Sequence, residues 1–146
     1  MQAQEVDAAL AAIQRGDSLA DRFLPQSAIV HYYEALNIYA AENKSADYAS
    51  LLISTAYMHI ILSEVQKADS LTQLAQASIA QLPQQDTTLL ANLNLMFGEI
   101  HEFRDEFDIA KRYYHTNLSL CLLKFDTAST YTRRAYNRLA SLYYTT

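Results

Sequence analysis

Residues 98–118 read GEIHEFRDEFDIAKRYYHTNL, and this stretch decides the fold. Within it and just beyond, Phe107, Ala110, Tyr113, Tyr114, Leu118 and Cys121 recur at three- and four-residue steps, which lays one apolar stripe along a helix. Another helix precedes it, so the stretch holds two helices joined by a short turn. Two such antiparallel helices approach to about 8–10 Å only where the facing side chains are small. Gly98 and Ala110 supply that contact in this reading, and Tyr114, one turn after the alanine, fills the space that opens as the helices diverge. The remaining apolar face of the pair is buried only by a neighbouring pair.

The same spacing runs through the whole chain. Gly16, Ala56, Gly98 and Ala140 are separated by 40, 42 and 42 positions. Twelve residues after each of the first three stands an alanine, Ala28, Ala68 and Ala110. Tyr32, Thr72 and Tyr114 follow four residues later, and Ala35, Ala75 and Asn117 three beyond those. This order of small residue, alanine, aromatic and small residue resembles the signature of the tetratricopeptide family. The resemblance covers nearly the whole chain and is best from Gly98 to Leu118, with Ala28 to Leu36 (AIVHYYEAL) close behind. It departs from the family in four places. Thr72 replaces the aromatic of the middle pair; Ala12, Leu52 and Asn94 stand where an aromatic is common, and only Tyr136 conforms there; Leu19, His59 and His101 stand where a tyrosine is typical and Tyr143 keeps it; and Ala40, Ala80 and Leu122 stand where a proline is expected, Pro83 coming three residues late. The spacing also exceeds the family's usual length of about 34 residues, and is similar to the longer-helix variants found in bacterial regulatory proteins and some eukaryotic adaptors. The resemblance implies an all-α chain built as a right-handed α-solenoid of stacked antiparallel helix pairs.

Periodicity places seven helices, at 4–20, 25–42, 45–62, 65–82, 87–103, 106–124 and 127–145, which make three pairs plus one extra helix. Pro25 suits a first helical turn, Ser45, Asp86 and Asp126 are candidate caps for free backbone N–H groups, and Pro83 ends the fourth helix. Gly16, Asp17 and Ser18 threaten to interrupt the first helix. Residues 1–146 are expected to form a single repeat domain. The seventh helix has the features of a first helix without its partner, and Tyr136, Leu139, Tyr143 and Tyr144 crowd it, so the chain is expected to be a fragment of a longer array.

Composition narrows the function. The 146 residues are 51% hydrophobic and 18% charged, enough apolar surface for a core, and two glycines with two prolines are too few for a sheet protein rich in tight turns. A net charge of −5 argues against binding a nucleic-acid backbone. Cys121 is the only cysteine, which excludes an internal disulfide, a Cys-based zinc site and a CxxC pair. Neither a signal peptide nor an apolar run of about 20 residues is present, so no membrane insertion is expected and a soluble, cytoplasmic setting is favoured.

No Gly-rich phosphate loop, HExxH helix or GxSxG elbow occurs, so the chain is read as a binding module and not an enzyme, with no cofactor. His59 and His101 occupy the slot of a packing tyrosine and read as half-buried aromatic replacements; His31 and His115 read as surface or interhelical residues. The contrary hypothesis is an enzyme, or a small-ligand or metal pocket, on the concave side around His101, Glu99 and Glu102, with Asp105 nearby. The acidic run Glu99, Glu102, Asp105, Glu106 and Asp108 and the basic set Arg133, Arg134 and Arg138 are expected to form exposed cross-helix ion pairs, each worth about 0–1 kcal/mol.

In the geometry implied by the resemblance, first helices line a concave groove that receives a protein or peptide. The residues so nominated are Ser54, Tyr57 and Ile60; Met96, Glu99 and Glu102; and Asn137, Arg138, Ser141 and Tyr144, with Asn92 and Arg134 at the outer ends. Tyrosine, methionine and arginine are the types enriched in interface cores. Some family members grip a peptide carboxylate through basic and amide residues, an arrangement that Arg134 and Arg138 match but Ile13, Asp17 and Ser54 do not. Arg138 beside Tyr144 suits an acidic or aromatic segment. Self-association through the end helices is the third possibility.

Overall fold

A computed structural model describes residues 2–40 and 45–146 of the chain. Among the described residues every regular element is helical: α1 (Ala3–Asp21), α2 (Pro25–Tyr39), α3 (Ala46–Ile61), α4 (Val65–Ala80), α5 (Thr87–Phe103), α6 (Phe107–Lys124) and α7 (Thr130–Thr145). These bounds lie within three residues of those read from the periodicity, and the expected extension of the second helix over 41–42 falls outside the described residues. Gly16, Asp17 and Ser18 do not interrupt α1, because tertiary contact at Gly16 outweighs the weak helix propensity of the trio. The chain divides into two compact units, Met1–Leu82 and Pro83–Thr146. In the first, α1 packs on α2 and α3 on α4, with α2 also against α3; in the second, α5 packs on α6 and α6 on α7.

Helix starts use short polar side chains. Ser45 Oγ accepts from the Tyr48 N–H at 3.0 Å, Asp86 Oδ1 from the Leu89 N–H at 3.1 Å, and Pro25 opens α2. The expected cap Asp126 is a correction. Its carboxylate accepts from the Ala128 N–H two residues on, a local turn, and α7 starts three residues later than read, where Ser129 Oγ accepts from the Thr132 N–H at 3.1 Å.

The three pairs share one turn. Phe23, Ser63 and Asp105, each seven residues after its small anchor, hold φ of 58°, 61° and 61°. The next residues, Leu24, Glu64 and Glu106, donate their N–H to the carbonyls of Leu19, His59 and His101 at 2.9, 2.8 and 2.9 Å. That is the bond pattern of a helix C-terminus closed by a left-handed residue. None of the three is glycine, so each holds a backbone conformation costing about 1 kcal/mol.

The anchors meet their partners through the aromatic ring. A methyl on Gly16 would lie 2.5 Å from Cε1 and 2.6 Å from Cδ1 of Tyr32, and one on Gly98 would overlap the Tyr114 ring, 3.1 Å from its Cζ. The glycines therefore make room for the tyrosines, more than for the alanines Ala28 and Ala110. The middle pair keeps the offset of sixteen residues with the volumes exchanged: Ala56 and Thr72 are both fully buried. Thr72, which weakens the resemblance as a motif residue, is the size complement of an alanine anchor. In the second unit one cluster gathers Leu95, Ala110, Tyr114, Leu139 and Leu142, and another joins Ala91, Cys121 and Ala135.

Candidate functional site

α7 carries three arginines and no carboxylate, and its polar flank lines a surface cavity of about 480 Å³ formed by Thr130, Arg133, Arg134, Asn137, Arg138 and Ser141. Residues three, four and seven apart share a helix face, which is why this set converges. Tyr144, three residues beyond Ser141 on the same helix, is 93% exposed, and Asn137 and Ser141 are exposed. At the anchor position of α7, Ala140 is exposed, unlike the other three anchors, and Tyr136 and Tyr143 flank it at the surface.

Beneath the arginines lies Glu99 of α5. Its Oε1 is 2.9 Å from Arg138 Nη2 and 3.6 Å from Arg134 Nη2, and its side chain is only 4% exposed. Burial pushes the Glu99 carboxyl above the usual carboxylate range, while Arg138 and Arg134 pull it back. Glu99 is thus no exposed groove residue, and its pairing is not the exposed ion pairing expected. α7 lies across it, and the pair is buried on the acidic side. Met96 is also a correction, since it is almost wholly buried. α5 is apolar nearly all round, with Leu93, Leu95, Met96 and Phe97 all buried, and a helix of that kind does not leave one flank open. Asn92 is half-buried, as are Ser54 and Tyr57 in the first unit.

The residues of the alternative pocket take separate partners. His101 Nδ1 lies 2.5 Å from Glu106 Oε2, and its ring stacks on Tyr113 at 5.4 Å between centroids. Glu102 accepts the hydrogen bond of the Tyr114 hydroxyl, and Glu99 faces arginines. The Tyr114 hydroxyl is held well above its usual range, first by burial and then by that carboxylate. Among the described residues no group of three His, Cys, Asp or Glu side chains is placed to hold a metal ion. Cys121 is buried, and burial pushes its thiol up, away from the reactive thiolate.

The histidines repeat a feature that inspection of single residues missed. His59 Nδ1 lies 2.6 Å from Glu64 Oε2, the same five-residue step across the same turn as His101 and Glu106. The signal was in the sequence, because both His and both Glu recur at fixed distances from Ala56 and Gly98. His59 is buried, not half-buried, with Nε2 3.0 Å from the Tyr33 hydroxyl. His31 sits near Arg15 and Glu34 at 3.3–3.5 Å on an exposed surface. His115 Nε2 meets the Tyr143 hydroxyl at 3.1 Å, bridging α6 and α7.

Comparison of the chain with protein-family models and with curated proteins finds no match. Among the described residues no helix is long and apolar enough to cross a membrane.

Proposed function

We propose that the chain is a helical-repeat module of the tetratricopeptide type, its pairs stacking into a right-handed solenoid, and that it holds protein or peptide segments without catalysing a reaction. The observation that carries this reading is the cavity on α7, where guanidinium, amide and hydroxyl groups converge on one open surface. Guanidinium groups bind carboxylates through paired N–H donors, and an exposed tyrosine adds apolar contact beside them. The favoured ligand is therefore an acidic segment carrying an aromatic or aliphatic side chain. The recurrence of one turn geometry and one ring-against-glycine contact supports the repeat assignment.

The test uses Arg133→Glu combined with Asn137→Ala and Tyr144→Ala. Arg138 is left intact because it faces the buried Glu99. Capture of partners from lysate, and anisotropy of a labelled acidic peptide, are measured against the parent chain. Weakening of about tenfold or more is expected, with stronger binding at low salt. An unchanged captured set and unchanged peptide affinity remove this surface from the function.

A further inference from the structure

We infer that Tyr33 is a general-base-activated hydroxyl, a covalent modification site that takes an acyl group from a small activated ester, with His59 as the base and Glu64 holding the resulting imidazolium. This activity is separate from partner binding on α7.

Three groups stand in the order carboxylate, imidazole, hydroxyl. Glu64 Oε2 is 2.6 Å from His59 Nδ1, and His59 Nε2 is 3.0 Å from Tyr33 Oη. An ionised carboxylate only accepts hydrogen bonds, so a proton sits on Nδ1, and in the tautomer that carries only that ring proton the Nε2 lone pair faces the Tyr33 O–H. That is the relation of nucleophile, base and orienting group on which hydroxyl activation depends. The fold holds each member in place. The backbone N–H of Glu64 donates to the carbonyl of His59 itself at 2.8 Å, so the turn ties base and orienter together. Lys67 Nζ occupies the other Glu64 oxygen, Oε1, at 2.8 Å, leaving Oε2 for the imidazole. His59 is 3% exposed, which shields the base from competing water, while Tyr33 as a residue is 37% exposed at the surface. Burial pushes the Tyr33 hydroxyl above its ordinary range, so it is protonated at neutral pH and needs a base to react.

The chain contains two incomplete versions of the array. His101 has its carboxylate, Glu106, but its ring lies flat against Tyr113, at 10° between planes, with no tyrosine hydroxyl on Nε2 among the described residues. His115 has its tyrosine, Tyr143, but no carboxylate on its other nitrogen among the described residues. A purely structural His–Glu turn lock requires no hydroxyl, as the first of these shows.

In the step, Tyr33 Oη attacks the ester carbonyl carbon and its proton passes to His59 Nε2. The bond from that carbon to the leaving oxygen breaks, and the leaving oxygen departs with the electron pair as an aryloxide. The imidazolium then gives up its proton to the aryloxide or to water, leaving an acylated tyrosine, a neutral imidazole and the phenol or, when water takes the proton, its phenolate.

The experiment treats the full chain with 4-nitrophenyl acetate, following nitrophenolate release and mapping acetyl groups by mass spectrometry. Positioned base catalysis is worth about 10²–10⁴-fold, so Tyr33 is expected to be acetylated at least about tenfold faster than Tyr143 and the fully exposed Tyr144. His59→Gln and Glu64→Gln should each abolish that lead, with circular dichroism reporting the fold. Should His59→Gln unfold, Glu64→Gln alone decides, since that side chain is 37% exposed. Acetylation of Tyr33 no faster than Tyr144, or a lead that survives Glu64→Gln in a folded chain, overturns the inference.

Discussion

Replacing Gly98 with alanine separates a tertiary effect from a local one, because the two act in opposite directions. In a helix interior alanine is favoured over glycine by about 1 kcal/mol, so propensity alone makes Gly98→Ala stabilising. The added methyl, however, would overlap the Tyr114 ring, which is fully buried and tethered by its hydroxyl to Glu102. Overpacking of that kind costs about 1–3 kcal/mol, and a ring fixed at both ends has little room to retreat. The expected net effect is a loss of about 0–2 kcal/mol once the propensity gain is subtracted. The middle pair supplies the compensating change. Gly98→Ala with Tyr114→Thr recreates the Ala56 and Thr72 combination at the same offset. Tyr114→Thr alone opens a cavity and costs about 3–5 kcal/mol by analogy with other aromatic truncations. The double variant should be more stable than the sum of the singles by about 1–3 kcal/mol, the signature of direct contact. Urea unfolding followed by circular dichroism measures all four corners of this cycle. A stabilised Gly98→Ala, or a double variant whose cost is the plain sum, would refute the size-complementarity argument for all three pairs.

Two further substitutions test the turn and the buried ion pair. Phe23 holds a left-handed φ of 58° at 91% exposure, so Phe23→Gly relieves backbone strain without removing packing; a gain of about 0.5–1 kcal/mol is expected, read as a higher melting temperature. Arg138→Ala strips Glu99 of its nearer cation and should cost about 2–3 kcal/mol at neutral pH, less than for a wholly buried pair because Arg138 is partly exposed. The sign with pH follows from burial. The folded carboxyl is raised above its ordinary value of 4.5, so the folded state holds the proton more tightly and stability falls as pH rises through the folded value. Without Arg138 that value rises further, so acidification toward pH 4.5 should recover part of the loss, and Arg138→Ala with Glu99→Gln should show no such recovery. Unfolding midpoints of the two variants across pH 4.5–8 check this, and parallel profiles would count against it.

Much of the architecture was legible in the residues. Small anchors at intervals of 40 to 42, alanines twelve residues on and three-four apolar steps placed seven helices within three residues of their ends, and Ser45, Asp86 and Pro25 marked starts correctly. Helix periodicity and capping are local, so a linear reading captures them. Asp126 was misplaced as a cap because its carboxylate had a nearer backbone donor, a competition that spacing cannot decide.

The candidate sites were less legible. Glu99 and Met96 looked like groove residues by position, but whether a flank of α5 is open depends on what lies across it, and Arg134 and Arg138 lie across Glu99. Tyr33 drew no notice because its partner His59 is 26 residues away on another helix. The meaning of Thr72 also waited on the structure, since only the ring seated against Gly16 and Gly98 shows that anchor and aromatic trade volume. By itself, then, the sequence determined the helices, their pairing interval and the overall chemistry of the chain, because these follow from the period of apolar side chains and from short-range hydrogen bonds. Burial of Glu99, the Glu64–His59–Tyr33 array and the open arginine face of α7 were decided by tertiary structure alone, because each depends on side chains from different helices meeting at distances that no single helix specifies.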